Sequence, residues 1–176
     1  MELWDVYDRE RNLTGKTVER GTPQGEGEYH LTVHMAIFTP DGRMLIQKRT
    51  PTKSTWPSMW DVSAGGAVIA GESAIEGAHR ELLEELGIDY DFTKQRPHLT
   101  LGHKLGFGDI YIIEMDIDPT TLTLQPTEVS EVKLATLDEI IEMMDNGSFI
   151  PYHHSFIKLL FDMRAGYGAH SHIRGK

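Results

Sequence analysis

The chain has 176 residues, no cysteine and a formal net charge of −10. That length fits one domain with its own core, and the missing thiols exclude disulfides, thiolate metal sites and a cysteine nucleophile. The acidic balance argues against nucleic-acid polymers as partners, since their binders carry a basic footprint. A chain of this charge can still hold phosphates when a divalent cation lies between its carboxylates and the ligand.

In chain order, residues 4–7 and 14–18 read as short strands flanking a polar turn at 8–12. Residues 20–29, with three glycines and a proline, read as a loop. Two apolar runs, 31–38 and 44–48, meet across Pro40-Asp41-Gly42 and predict a hairpin. A polar loop at 50–59 carries Trp56, with Trp60 just after it. Residues 61–68 predict a short strand broken by Gly65-Gly66. The clearest helix spans 73–86, with Ser73 as N-cap, Glu76 completing a capping box and Gly87 as the stop. Strands are predicted at 98–102, 110–117 and 131–135. A helix capped by Thr136 or Asp138 follows to about residue 146, and a last helix covers 155–164. Residues 1–164 are expected to form a single domain, with 1–29 as an N-terminal elaboration. The Gly- and His-rich tail, 165–176, is expected to lack fixed structure. The irregular alternation of strands and helices predicts an α+β fold around a mixed sheet. No segment approaches the ~20 apolar residues of a membrane span. Residues 1–5 show no basic region leading into an apolar run, so cytoplasmic residence is the expectation.

The informative segment is 66–88. At 100° per residue, Glu81, Glu84 and Glu85 share one helix face, and Ile75, Ala78, Leu82 and Leu86 form the adjoining apolar face. Three like charges on one face repel. Arg80 can pair with one or two of them. A hard divalent cation resolves the remainder, because Mg²⁺ prefers carboxylate and water oxygens, and it can also bind phosphate and activate water. A solvated acidic face is the ordinary alternative for neighbouring glutamates, but it leaves the glycine loop and Glu72 unexplained.

Gly66, Glu72, Arg80, Glu81, Leu82, Glu84, Glu85, Gly87 and Ile88 match every position of G-x5-E-x7-R-E-U-x-E-E-x-G-U, where U is aliphatic. The segment therefore resembles the signature of the Nudix hydrolases. The resemblance implies the Nudix fold, an α/β/α sandwich with a mixed central sheet, and pyrophosphohydrolase chemistry dependent on Mg²⁺ or Mn²⁺. It implies that Glu81, Glu84, Glu85 and the Gly66 carbonyl ligate metal and that Arg80 orients the glutamates. It places Glu72 in support of the loop. The expected substrate is a small phosphorylated molecule such as a nucleoside diphosphate derivative. The signature leaves open which group orients or deprotonates the attacking water.

Outside the signature, Glu128 and Glu131 resemble an acidic segment before the last strand that can approach the metals, and Glu131 is taken as a catalytic candidate. Arg49, whose fork matches phosphate geometry, and His30, at a strand entrance, are candidate substrate contacts. His34, His79 and His103 are read as structural. Trp56 and Trp60 either anchor the loop by packing or stack on a base; Trp56 is the candidate stacking residue. Residues 4–8, 14–16, 20–21, 30–38, 45–49 and 60–62 also resemble the branch related to isopentenyl-diphosphate isomerase. That isomerase needs a cysteine just after this stretch, and the chain has Asp61-Val62-Ser63-Ala64 there. Hydrolysis is therefore expected over isomerisation. A non-catalytic nucleotide-sensing module is the other alternative, disfavoured because every signature glutamate is present. The sequence leaves the oligomeric state, including a homodimer, open.

Overall fold

The computed structural model describes residues 2–170. An N-terminal hairpin of β1 (Leu3–Tyr7) and β2 (Leu13–Glu19) forms its own two-stranded sheet. The main sheet follows with β3 (His30–Phe38), β4 (Met44–Arg49), β5 (Trp60–Asp61) and β6 (Ala64–Ala67). Then come helix α1 (Ala74–Leu86), β7 (Leu99–His103), β8 (Gly106–Glu114), a 3-10 turn at Pro119–Thr121, β9 (Val129–Ala135), α2 (Leu137–Asp145) and α3 (His154–Met163). β3 and β8 run parallel and the other pairings are antiparallel, so the sheet is mixed.

Alternation along β3 builds the layers, because successive side chains take opposite faces. Leu31, Val33, Met35 and Ile37 pack with Ala78, Leu82 and Leu86 of α1. Ala36 and Phe38 pack with Ile140 and Met143 of α2 and Ile157 and Leu160 of α3. The result is the α/β/α sandwich that the signature implied. The helix start and stop signals hold in detail. Ser73 and Thr136 both close reciprocal capping boxes, with Glu76 and Glu139, and Gly87 ends α1 at φ +70°.

Two local readings change. The predicted hairpin is joined at a single register pair, Phe38 with Met44. Beyond it β3 pairs with β6, while β4 pairs with β9 and β5. The buried Ser63 hydroxyl bridges the opening, accepting from Ile37 N at 2.8 Å and donating to Leu45 O at 2.5 Å. The strand expected at 61–68 is consequently two strands that serve different partners. The N-terminal hairpin is tied to the domain. Tyr7 and Tyr29 exchange backbone hydrogen bonds, Asp5 accepts from Gly71 N at 2.7 Å, and Arg11 grips the buried Asp109 carboxylate. Of the tail, residues 171–176 lie outside the described residues. Tyr167 stacks on His98 with ring centroids 4.0 Å apart.

Candidate active site

The acidic face of α1 is delivered as the spacing predicts, but its three glutamates meet different surroundings. Glu85 points into the fold and is buried. Its Oε2 accepts from the Gly65 N–H at 3.1 Å and from Gln47 Nε2 at 3.0 Å. Burial, followed by the charge of Glu81, pushes its pKa up to about 8; the Gly65 N–H opposes this, and Asp61 and Glu128 add to it. Glu81 lies against Gly66, where a Cβ would collide with the carboxylate. Glycine at 66 thus admits the Glu81 carboxylate to close approach, and a side chain there would displace it. Burial also raises the Glu81 pKa, against the pull of Arg80. Glu84 is half exposed.

Arg80 organises the helix entrance. Its Nε and Nη2 fork onto Glu72 at 2.9 and 3.1 Å, and Nη2 also donates to Ala67 O at 2.9 Å. Its Nη1 lies between Glu81 and Glu84, at 2.8 and 3.3 Å. Burial works against the Arg80 charge, but hydrogen bonds to Glu72 and Glu81 outweigh it and its pKa rises. Glu72 additionally accepts from Ile69 N at 3.2 Å, which shapes the turn into α1. Arg80 thus pairs with the outer two glutamates, and among the described residues Glu85 has no cationic partner.

The donor set suits a hard cation. It comprises a buried and a partly buried carboxylate, Glu85 and Glu81, both with raised pKa values, and backbone carbonyls at a glycine that admits close approach. Among the described residues, no three His, Asp or Glu side chains converge on a ready-made cation cage. Arg80 and the amide donors hold the carboxylates instead.

On its α3 face the sheet borders a cavity of about 730 Å³, lined by Thr32, His34, His103, Ile110, Tyr152 and Phe156 among others. Gly65 lies between Glu85 and His34 of the cavity wall. Its N–H serves Glu85, and a Cβ there would come 2.7 Å from His34 Nδ1. Desolvation holds the His34 pKa below the usual imidazole range, partly offset by Asp61. In the cavity wall, Tyr152 donates to Asp61 Oδ1 at 2.7 Å, and Arg49 Nη1 is 3.6 Å from Asp61 Oδ2.

The remaining candidates divide. Arg49 is engaged with Thr55 O at 3.1 Å, Thr55 Oγ1 at 3.3 Å and Asp61, so its guanidinium is a loop fastener in this structure. His30 is buried, stacked on Trp4 with centroids 4.7 Å apart, and shares a 3.1 Å hydrogen bond with the Gln24 amide. These contacts bring it to the N-terminal hairpin, not to the glutamates. Trp56 is exposed at φ +50°, whereas Trp60 is buried, with the Lys48 and Lys133 ammonium groups over its ring. Glu131 stands opposite Lys48 on β9, is more than half exposed and lies 3.7 Å from the Lys48 ammonium. Of Glu128 and Glu131, the one whose charge bears on Glu85 is Glu128, paired with Lys53. Reading the sequence missed Gln47, Asp61 and Tyr152. The one signal for Gln47 was an amide inside the apolar run 44–48.

Residues 28–155 match the family model described as NUDIX domain. An uncharacterised Nudix hydrolase of Listeria monocytogenes is 40% identical over 164 residues, covering 93% of this chain and 96% of that protein. An uncharacterised Nudix hydrolase of Clostridium acetobutylicum is 33% identical, covering 82% and 75%. Among solved structures, a protein of Deinococcus radiodurans aligns with a TM-score of 0.73 at 24% identity, over 90% of this chain and 97% of that one. The NUDIX domain of Shewanella oneidensis NrtR, complexed with ADP ribose, aligns at 0.57 and 18% identity, over 81% and 89%. These two structural likenesses speak for the fold alone.

Proposed function

The chain belongs to the Nudix hydrolase family, pyrophosphohydrolases that generally use divalent metal ions, and from that premise we propose that it is a Mg²⁺-dependent pyrophosphohydrolase of a nucleoside diphosphate derivative. The observation that carries this reading is the buried Glu85 with the partly buried Glu81 beside Gly65-Gly66, and a molecule-sized cavity on the other face of the sheet. In the proposal, Glu81, Glu84, Glu85 and the Gly66 carbonyl hold the cation, with Mn²⁺ as a substitute. When bound, such an ion neutralises charge on the diphosphate oxygens and lowers the pKa of water.

The chain's own residues do the rest. Arg80 pairs with Glu81 and Glu84 and so offsets part of the repulsion among the three glutamates. Glu72 locks Arg80 and the loop turn together. The cavity fixes the organic part of the substrate, so that the diphosphate lies at the glycine edge. Water adds to one phosphorus, the bridging P–O bond breaks, and the departing phosphate keeps the bridging oxygen. The cavity volume falls within the ~300–1,000 Å³ common for small-molecule sites. The ADP ribose bound to the NrtR domain supports a nucleoside diphosphate derivative as substrate class.

The test is a phosphate-release screen of nucleoside diphosphate derivatives with Mg²⁺, with Mn²⁺ and in excess EDTA. Turnover with metal that disappears in EDTA is expected. Unchanged turnover in EDTA, or none with any diphosphate, overturns the proposal.

A further inference from the structure

β4 is apolar through Met44, Leu45 and Ile46 and then places an amide, Gln47, in the interior at 2% exposure. A buried amide costs free energy unless its hydrogen bonds are made, and an apolar residue would fill the same space without that cost. The side-chain partner of Gln47 is Glu85, itself 4% exposed. The geometry at Glu85 is asymmetric. Both N–H donors, from Gly65 and Gln47, land on Oε2, and among the described residues no donor reaches Oε1. A single hydrogen bond would fix the distance of that oxygen and leave the carboxylate plane free to turn. Two donors arriving from different strands, β6 and β4, fix the plane as well and leave Oε1 open.

We infer that Gln47 is a positioning residue, which holds the Glu85 carboxylate by Oε2 so that Oε1 is presented to a divalent cation. The inference rests on the proposed function, since it takes Glu85 as a cation ligand. Gln47 itself touches neither cation nor substrate. Groups that orient ligating carboxylates act on affinity: losing one typically weakens metal binding by about 10–100-fold.

The test is direct Mn²⁺ binding, read as free Mn²⁺ by electron paramagnetic resonance on the whole chain. It uses wild type, Glu85→Gln, Gln47→Met and Gln47→Asn. Methionine keeps the length of the side chain and removes the donor. Asparagine keeps the amide and is one methylene too short to span the bond. Both Gln47 variants are expected to raise the Kd for Mn²⁺ by roughly 10-fold or more. The Mg²⁺ concentration needed for half-maximal rate should rise in parallel, with substrate KM at saturating Mg²⁺ unchanged. An amide that only supports the fold would lower Tm and leave the Kd of the folded protein alone. Should wild type bind Mn²⁺ and Glu85→Gln fail to, while either folded Gln47 variant binds like wild type, this inference falls and the proposed function stands. If wild type does not bind Mn²⁺, both fall together.

Discussion

On the α1 face, Glu81, Glu84 and Glu85 come from five consecutive residues, and Arg80 beside them supplies the compensating charge. On the α3 face, the cavity is walled by Thr32 and His34 of β3, Gly108 of β8, Gly102 and His103 of β7, and Tyr152 and Phe156 near α3. The first region is polar and assembled by helical periodicity, so one short segment determines it. The second is assembled by tertiary packing of segments more than a hundred residues apart. A chain built this way can change what the cavity accepts without touching the glutamates. On the proposed function, chemistry and recognition occupy separate regions that meet at Gly65 and at Asp61, whose charge bears on Glu85 and which accepts from Tyr152.

That separation predicts opposite kinetic signatures. Glu85→Gln keeps the shape and removes the charge, so kcat is expected to fall by about 10²–10³, as for loss of a charge-stabilising group. Substrate KM should move little. A variant with wild-type kcat would remove Glu85 from the machinery. Gly108→Leu probes the other region. A Cβ at Gly108 meets only ordinary contacts, 3.4 Å from Thr32 Oγ1 and 3.8 Å from His34 Cδ2. A larger side chain there intrudes on the space beside both. KM is expected to rise roughly 10-fold or more, the scale of misfit in a binding pocket, while Mn²⁺ affinity stays at the wild-type value. An equal loss of Mn²⁺ binding in Gly108→Leu would break the separation.

The same contrast explains what could be read from the amino-acid sequence. Ser73, Glu76 and Gly87 bound α1 through contacts within four residues, so both its ends were legible. Spacing also placed the three glutamates on one face. It did not show that Glu85 turns inward while Glu84 remains half exposed, because that depends on which flank of α1 meets β4 and β6. Glu131 and Glu128 are three residues apart, and only the pairing of β9 with β4, with a register shift between Lys48 and Arg49, decides which approaches Glu85. The divergence of β3 from β4 hinges on Ser63, a residue the local pattern gives no reason to single out. Trp56 and Trp60 look alike in sequence, yet Trp60 lies under two lysines and Trp56 faces outward.

A smaller effect tests the electrostatics of the α1 face. The Glu85 pKa is raised from 4.5 to about 8, so the metal-free fold holds a proton that the unfolded chain releases. Stability from this group is full below the unfolded pKa and is lost as pH rises through about 8. Burial lowers the pKa of His30, His34, His98 and His103, so their contribution fails only as pH falls below the usual imidazole range. Between about pH 7 and 8.5 the raised carboxyls therefore remain, Glu85 together with Glu81, whose pKa burial also raises. In EDTA, Tm is expected to fall across that window by roughly a few degrees, and Glu85→Gln should flatten the slope. A slope that survives in Glu85→Gln assigns it to another group.

The smallest expected effect lies in the loop between β4 and β5. Ser58 and Arg11 both adopt left-handed backbone, at φ +61° and +64°. A non-glycine residue there costs about 1–2 kcal/mol, whereas glycine adds chain entropy to the unfolded state worth about 0.4–1 kcal/mol. Ser58 is exposed, and its backbone N–H to Thr50 O survives any side-chain change. Strain relief then exceeds the entropy loss, and Ser58→Gly is expected to stabilise by about 0.5 kcal/mol. Arg11 has the same backbone but a different side-chain role, since its guanidinium serves the buried Asp109 carboxylate. Arg11→Gly must lower Tm, because leaving a buried carboxylate without its cation outweighs relief of strain. Thermal melts of the two variants check the argument. A loss of Tm in Ser58→Gly would mean that the loop conformation, and with it the outward pose of Trp56, depends on the serine side chain.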